Sequence, residues 1–272
     1  MDAASRRTFL LPDAAPLSYL DLGSGPAMLL IHGFPGTARR HLGDLIDRYA
    51  PSYRVIAPDL RGYGASSPPP RQLSPDFYRR DAADLARLLD HLAVGPAILL
   101  GFSDGAESAL LLAALRPDLA RAVVAWGVSG VISETHLAAV QEWLPVQDWG
   151  PERAAWRAQI IADHGEAQLR PLIEGWVQAA AAIVAAGGNI CLAEAARIRC
   201  PALLINGEGE VGNLPEDVQR LAAAIPNARL RFAAGAGHAV HWQHPEWFGA
   251  QVDAFLAEIG AASQPSSSTT GS

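Results

Sequence analysis

The sequence predicts an α/β protein built on a mostly parallel, doubly wound sheet. Short apolar runs of strand length alternate with longer segments of helical period, which is the pattern of a parallel sheet covered on both faces. The alternation breaks once, in a long stretch without a strand. The chain has 272 residues and is 50% hydrophobic, enough to bury a core without disulfides or metals.

In order, Thr8 to Leu11 reads as a first strand, followed by the apolar runs Met28–Ile31 and Arg54–Ala57. Leu85, Leu88, Leu89 and Leu92 recur at helical spacing. Then come the run Ala97–Leu100, a helical pattern over Ala106–Leu115 and the run Ala122–Trp126. From Val131 to Arg197 only helix-like segments rich in Ala, Glu, Gln and Trp occur, before the runs Ala202–Ile205 and Leu230–Phe232. The expected organisation is a core of residues 1–130 and 198–259, a helical cap of 131–197 laid over the sheet edge, and a small, polar, disordered tail of 260–272. Right-handed crossovers place the strand C-termini, and the functional loops, along one edge.

Composition removes whole classes of function. The net charge is 21 − 28 = −7, and every one of the 21 cations is arginine. Without lysine there is no Walker A phosphate loop, no Schiff base and no lysine general base. An acidic chain without a basic block is a poor nucleic-acid binder. Cys191 and Cys200 form no C-x-x-C pair, so two free thiols in a reducing compartment are expected. Ser5-Arg6-Arg7-Thr8-Phe9-Leu10 imitates a twin-arginine export signal, but Pro12 and Asp13 interrupt the apolar stretch that a signal needs. The longest apolar stretch, Ala179 to Ala186, is far short of the ~20 residues of a membrane span. The expectation is a cytoplasmic protein acting on a small molecule, with no nucleic-acid or membrane partner.

The strongest local signal is Gly101-Phe102-Ser103-Asp104-Gly105, between an apolar run and a helical pattern. A serine on a sharp strand-to-helix turn is held in strained geometry above the sheet, and flanking glycines keep neighbouring side chains clear of it. Such a serine needs a base and an orienting acid, in the chain order Ser, Asp/Glu, His. His238, in Gly235-Ala236-Gly237-His238, follows a late strand and is the expected base. The acid belongs after Ala202–Ile205; Glu210 is the first choice, with Glu208, Asp217 and Glu134 as rivals. Backbone N–H groups of Phe34, in His32-Gly33-Phe34-Pro35-Gly36, and of Asp104 are expected to form an oxyanion hole. Asp59-Leu60-Arg61-Gly62-Tyr63-Gly64 reads as a supporting turn, its G-x-G too short for a dinucleotide fingerprint. His238, His241 and His244 share a metal-like H-x-x-H-x-x-H spacing, but no carboxylate or cysteine cluster supports it, and no metal or cofactor is expected. The other histidines, His136 among them, are expected to be structural or exposed.

Together these stretches resemble the α/β-hydrolase superfamily, over about residues 8 to 259. The resemblance implies that fold, with the helical cap inserted after the sixth strand. Within it the chain is similar to the biphenyl-hydrolase-like (valacyclovir hydrolase) family. The supporting stretches are Gly101–Gly105 with its Ser-Asp pair, Trp126-Gly127, Gly188-Asn189-Ile190-Cys191, and Arg199-Cys200-Pro201-Ala202-Leu203 leading into Gly207-Glu208. The resemblance implies a serine hydrolase of α-amino-acid esters, in which the carboxylate after the nucleophile, Asp104, binds the substrate ammonium. One departure stands out. The family carries Gly-Glu-x-Asp, whereas this chain has Gly207-Glu208-Gly209-Glu210 and one extra residue before Pro215.

Other chemistries on this fold remain open at this point. Epoxide hydrolases and haloalkane dehalogenases use an aspartate where this chain has Ser103. Carbon–carbon bond hydrolases and cofactor-free perhydrolases keep the serine, although Asp104 disfavours an anionic substrate. A non-catalytic small-molecule binder on the same fold is the alternative of a different class. Trp143, Trp149, Trp156 and Trp176 either line an apolar pocket or pack between cap helices.

Overall fold

The computed structural model describes residues 6–262. Among these residues one sheet has eight strands in the order β1-β2-β4-β3-β5-β6-β7-β8. The strands are β1 (Arg6–Leu10), β2 (Pro16–Leu22), β3 (Ala27–Ile31), β4 (Arg54–Pro58), β5 (Ala97–Phe102), β6 (Ala120–Trp126), β7 (Ala202–Gly207) and β8 (Ala228–Ala233). Pairing is antiparallel for β1 with β2 and β2 with β4, and parallel elsewhere. This is the α/β-hydrolase fold. β2 is the strand that the apolar-run pattern does not reveal. It opens on Pro16 and carries Ser18 and Asp21, so it has no continuous apolar run.

Side chains along the parallel strands alternate between two cores, as the two-residue period demands. Leu29, Leu99, Val123 and Leu204 face one side, against helices α2 (Phe77–His91) and α3 (Asp104–Leu115). Met28, Leu30, Ile98 and Leu100 face the other, against α1 (Ala38–Tyr49).

Between β6 and β7 lie α4 (Glu134–Gln141), α5 (Ala154–His164) and α6 (Glu166–Ala185), with short 3₁₀ turns. The two ends of this insert meet. Val131 and Asn189 form an isolated antiparallel bridge, and the Gly130 carbonyl accepts N–H bonds from Ile190, Cys191 and Leu192 at 3.0, 3.0 and 3.2 Å. After β7 come α7 (Pro215–Ala224), then the short α8 (Val240–Gln243) and α9 (Pro245–Ala262) beyond β8.

The expected tail starts later than the composition implies. α9 runs through Gly260 to Ala262, because alanine is a strong helix former and buried Ile259 anchors the preceding turn. The rest of that tail, 263–272, lies outside the described residues. Both cysteines are free. Among the described residues no helix is long and apolar enough to cross a membrane.

Candidate active site

The four loops that carry Phe34, Ser103, Glu210 and His238 leave the C-terminal ends of β3, β5, β7 and β8, so they converge on one sheet edge. Ser103 has φ +53° and ψ −123°, a conformation that is costly for a residue with a Cβ. The flanking glycines explain how the turn is possible. A Cβ at Gly101 would sit 2.4 Å from the Gly105 carbonyl, and one at Gly105 would sit 2.3 Å from the Ile31 carbonyl. α3 then begins at Asp104, earlier than the apolar pattern indicates.

Ser103 Oγ lies 2.9 Å from His238 Nε2, and His238 Nδ1 lies 2.6 Å from Glu210 Oε2. An Nδ1–H donating to the carboxylate leaves Nε2 free to accept the serine proton. Burial would raise the Glu210 carboxyl, but the His238 hydrogen bond and charge, with N–H bonds from Gly212 and Asn213, hold it below the usual carboxylate value. The loop accommodates the longer side chain by folding back on it: the Gly212 N–H donates to Glu210 Oε1 at 3.0 Å, and the Gly209 N–H to the Ala236 carbonyl at 2.8 Å. The rival acids are elsewhere. Glu208 and Glu134 are exposed, and Asp217 pairs with Arg220 at 2.9 Å on α7.

The loop after β3 lies against the nucleophile, since a Cβ on Gly33 would come within 2.8 Å of Ser103 Cβ. Phe34 follows it directly. His32, neutral and buried, holds the loop, Nδ1–H donating to the Gly33 carbonyl and Nε2 accepting from the Leu60 N–H, both at 2.9 Å. Burial lowers its pKa to about 4. His164 of α5 braces it from outside, bonding the Gly64 N–H at 3.1 Å and the Pro35 carbonyl at 3.3 Å. Asp59 ties the supporting turn by accepting from the Ala38 and Ala65 N–H groups.

Ser103 opens on a cavity of about 400 Å³. Phe34, Trp143, Trp156 and Trp176 form its aromatic wall; Trp149 stays outside, stacked on Trp156 at 4.8 Å. Asp104 is buried in the wall. Its Oδ1 accepts from the Tyr78 hydroxyl and its Oδ2 from Trp176 Nε1, each at 2.9 Å. Burial pushes its carboxyl up to about 6, against the lowering effect of those two bonds.

Among the polar wall residues that the sequence reading did not assign to the site are Tyr78 and Glu107, and His136, expected to be structural or exposed, lines the cavity as well. His136 of α4 is neutral, its pKa lowered to about 4 by burial. Glu107 lies one turn beyond Ser103 on α3, its Oε1 accepting from the Gly130 and Ser129 N–H groups at 2.9 and 3.3 Å, and its Oε2 from the Cys191 thiol at 3.0 Å. Burial pushes its carboxyl up to about 7 despite those bonds. Its signal was visible: a charge inside a helix that is otherwise almost wholly apolar beyond its first two residues.

The metal-like histidine spacing does not converge on a site. His241 spends both ring nitrogens, Nδ1 accepting from Trp126 Nε1 at 2.9 Å and Nε2–H donating to the His41 carbonyl at 3.1 Å.

Residues 28–251 match the alpha/beta hydrolase family. The chain is 30% identical over 243 residues to mouse (Mus musculus) serine hydrolase BPHL, covering 88% of this chain and 82% of the relative. It is also 30% identical over 252 residues to 2-(acetamidomethylene)succinate hydrolase of Mesorhizobium japonicum, covering 85% and 87% of the two chains. Among solved structures it is similar to a hydrolase from Pseudomonas aeruginosa PA01, with a TM-score of 0.72, 26% identity and coverage of 94% and 99%.

Proposed function

The chain belongs to the alpha/beta hydrolase family, and within that family we propose that it is a serine esterase cleaving small α-amino-acid esters through an acyl-enzyme. The observation that carries this reading is the continuous relay from Ser103 Oγ through His238 to Glu210, at 2.9 and 2.6 Å.

His238 takes the Ser103 proton as Oγ attacks the ester carbonyl. The N–H groups of Phe34 and Asp104 hold the oxyanion, the second at the positive end of α3. Glu210 fixes the imidazole tautomer and stabilises the imidazolium. His238 then gives its proton to the departing alcohol, deprotonates a water for attack on the acyl-enzyme, and returns the proton to Ser103 as the acid leaves. Asp104 receives the substrate ammonium. Its two oxygens each accept one neutral donor, which fixes the carboxylate and leaves lone pairs directed elsewhere. The similarity to serine hydrolase BPHL supports the serine chemistry.

The test compares kcat/KM for one amino-acid ester with a free α-amine against its N-acetyl counterpart. Losing a desolvated charge pair costs about 2–5 kcal/mol, so the free amine is expected to win by tens- to thousands-fold. Ser103→Ala abolishes turnover of both, and Glu210→Gln lowers kcat by about 10³–10⁴-fold through loss of the correct tautomer. Equal rates for the two esters would remove the ammonium role of Asp104 and leave a general serine esterase. No Ser103-dependent turnover, with no labelling of Ser103 by a fluorophosphonate, would leave a small-molecule binder.

A further inference from the structure

Among the described residues the buried carboxyls are Asp59, Asp81, Asp84, Asp104, Glu107 and Glu210. Four of them face a cationic or protonatable partner. Arg6 lies 3.0 Å from Asp59, Arg71 bonds Asp81 at 2.6 and 2.7 Å, Arg61 bonds Asp84 at 2.7 and 3.1 Å, and His238 bonds Glu210. Asp104 and Glu107 differ: their hydrogen bonds come from a phenol, an indole, a thiol and two backbone amides. Both line the cavity beside Ser103, and no arginine lines it with them. Arg71 is close enough for Asp104 to feel its charge, but both of its terminal nitrogens bond Asp81 and none bonds Asp104. The start of α3 supplies only about half a unit of positive charge.

A carboxylate removed from water is costly unless a full cation pairs with it. This chain meets that demand with arginine at three of the other sites; inside the cavity it is met either by a proton, which burial helps both carboxyls to hold, or by a cation from outside. In the reading proposed above, on which this inference rests, the substrate α-ammonium answers for Asp104. Glu107 is left over.

Its placement is specific. Three residues after Asp104 on the same helix, it shares a face with Asp104, their Cβ atoms about 5–6 Å apart, and it stands a turn further from the nucleophile. Two amides saturate Oε1, but Oε2 receives only a thiol, the weakest donor available. The same cavity is lined by the rings of Trp143, Trp156 and Trp176, and the faces of such rings attract cations.

We propose that Glu107 is a second cation subsite, and that the acyl group carries a side-chain ammonium about three methylenes beyond its α-carbon, as in esters of ornithine-like diamino acids. The α-ammonium meets Asp104 beside the scissile carbonyl, and the side-chain ammonium replaces the thiol as the main partner of Glu107 Oε2.

The experiment measures kcat/KM for ornithine methyl ester against norleucine methyl ester, in which a methyl group stands in for the ammonium. Both esters keep a free α-amine, so the role of Asp104 cancels in the ratio, and failure here is separate from failure of the amino-acid-ester reading. The wild-type ratio is expected to exceed about ten, and Glu107→Gln to bring it to one or below. A wild-type ratio at or below one overturns the proposal, whether or not the variant folds. A high ratio that survives Glu107→Gln overturns it as well, because the selectivity then resides elsewhere.

Discussion

Asp81 and Asp104 are both buried, on the neighbouring helices α2 and α3, and both accept two good hydrogen bonds. Asp81 receives the guanidinium fork of Arg71, which is itself almost wholly buried. Asp104 receives an indole and a phenol and faces the cavity. The difference separates two uses of a buried carboxylate. Where the chain supplies the cation, the pair belongs to the fold and neither member can be removed cheaply. Where it supplies only neutral donors, the carboxylate is held rigid but without a cation, and in the proposed reading the substrate ammonium supplies one.

The largest expected effect comes from breaking the first kind. Asp81→Ala leaves Arg71 buried and uncompensated, which costs about 3–5 kcal/mol of stability. Urea denaturation reads that loss, while the folded fraction keeps its preference for a free α-amine. Asp104→Asn has the opposite signature. The asparagine oxygen still accepts from Trp176 and its amide can donate to the Tyr78 oxygen, so the midpoint of unfolding holds, while kcat/KM for the free-amine ester falls by about 2–5 kcal/mol. In the wild type the same advantage of the free amine fades as pH falls through about 6, where Asp104 protonates. If Asp104→Asn unfolds the protein as Asp81→Ala does, the comparison collapses.

The smallest effect sharpens it. Burial raises the folded-state pKa of Glu107 from the ordinary 4.5 to about 7, so the folded chain holds a proton there that the unfolded chain has lost. Wild-type stability therefore declines as pH rises from about 4.5 to about 7, through this group alone. Glu107→Gln removes that contribution and keeps an acceptor for the Ser129 and Gly130 amides. Its melting temperature is expected to gain on the wild type across that window and to hold the gain above it. A variant that loses ground with rising pH would assign Glu107 to the first kind of carboxylate.

The sheet was largely legible because β3 to β7 are buried on both faces and read as plain apolar runs. β2 was not, since Ser18 and Asp21 break its pattern and their satisfaction depends on distant partners: Asp21 needs Arg54 of β4. Ser103 and the loop of His238 were legible from glycine spacing, a local signal. For the acid the sequence pointed first to Glu210 but kept Glu208, Asp217 and Glu134 as rivals, because which of these carboxylates reaches His238 depends on the direction in which a turn projects a side chain. Tyr78, Glu107 and His136 lie on three different helices, and their meeting at one cavity is set by packing that no local spacing encodes.

The junction at Gly130 has a consequence of its own. The insert leaves and rejoins the sheet at a single point, where one carbonyl collects three amides and Glu107 holds the amide of the same residue. A segment whose ends already touch behaves as a closed loop. Lengthening it costs closure entropy that grows only with the logarithm of its size, about 0.6 kcal/mol per doubling. The chemistry stays on the sheet edge, while the insert closes on itself at Gly130 and docks again through His164 to the Gly64 N–H and Pro35 carbonyl and through Trp176 to Asp104. In such a plan the insert tolerates changes of length between its ends, provided that a longer version still brings His164 to the Gly64 loop and Trp176 to Asp104.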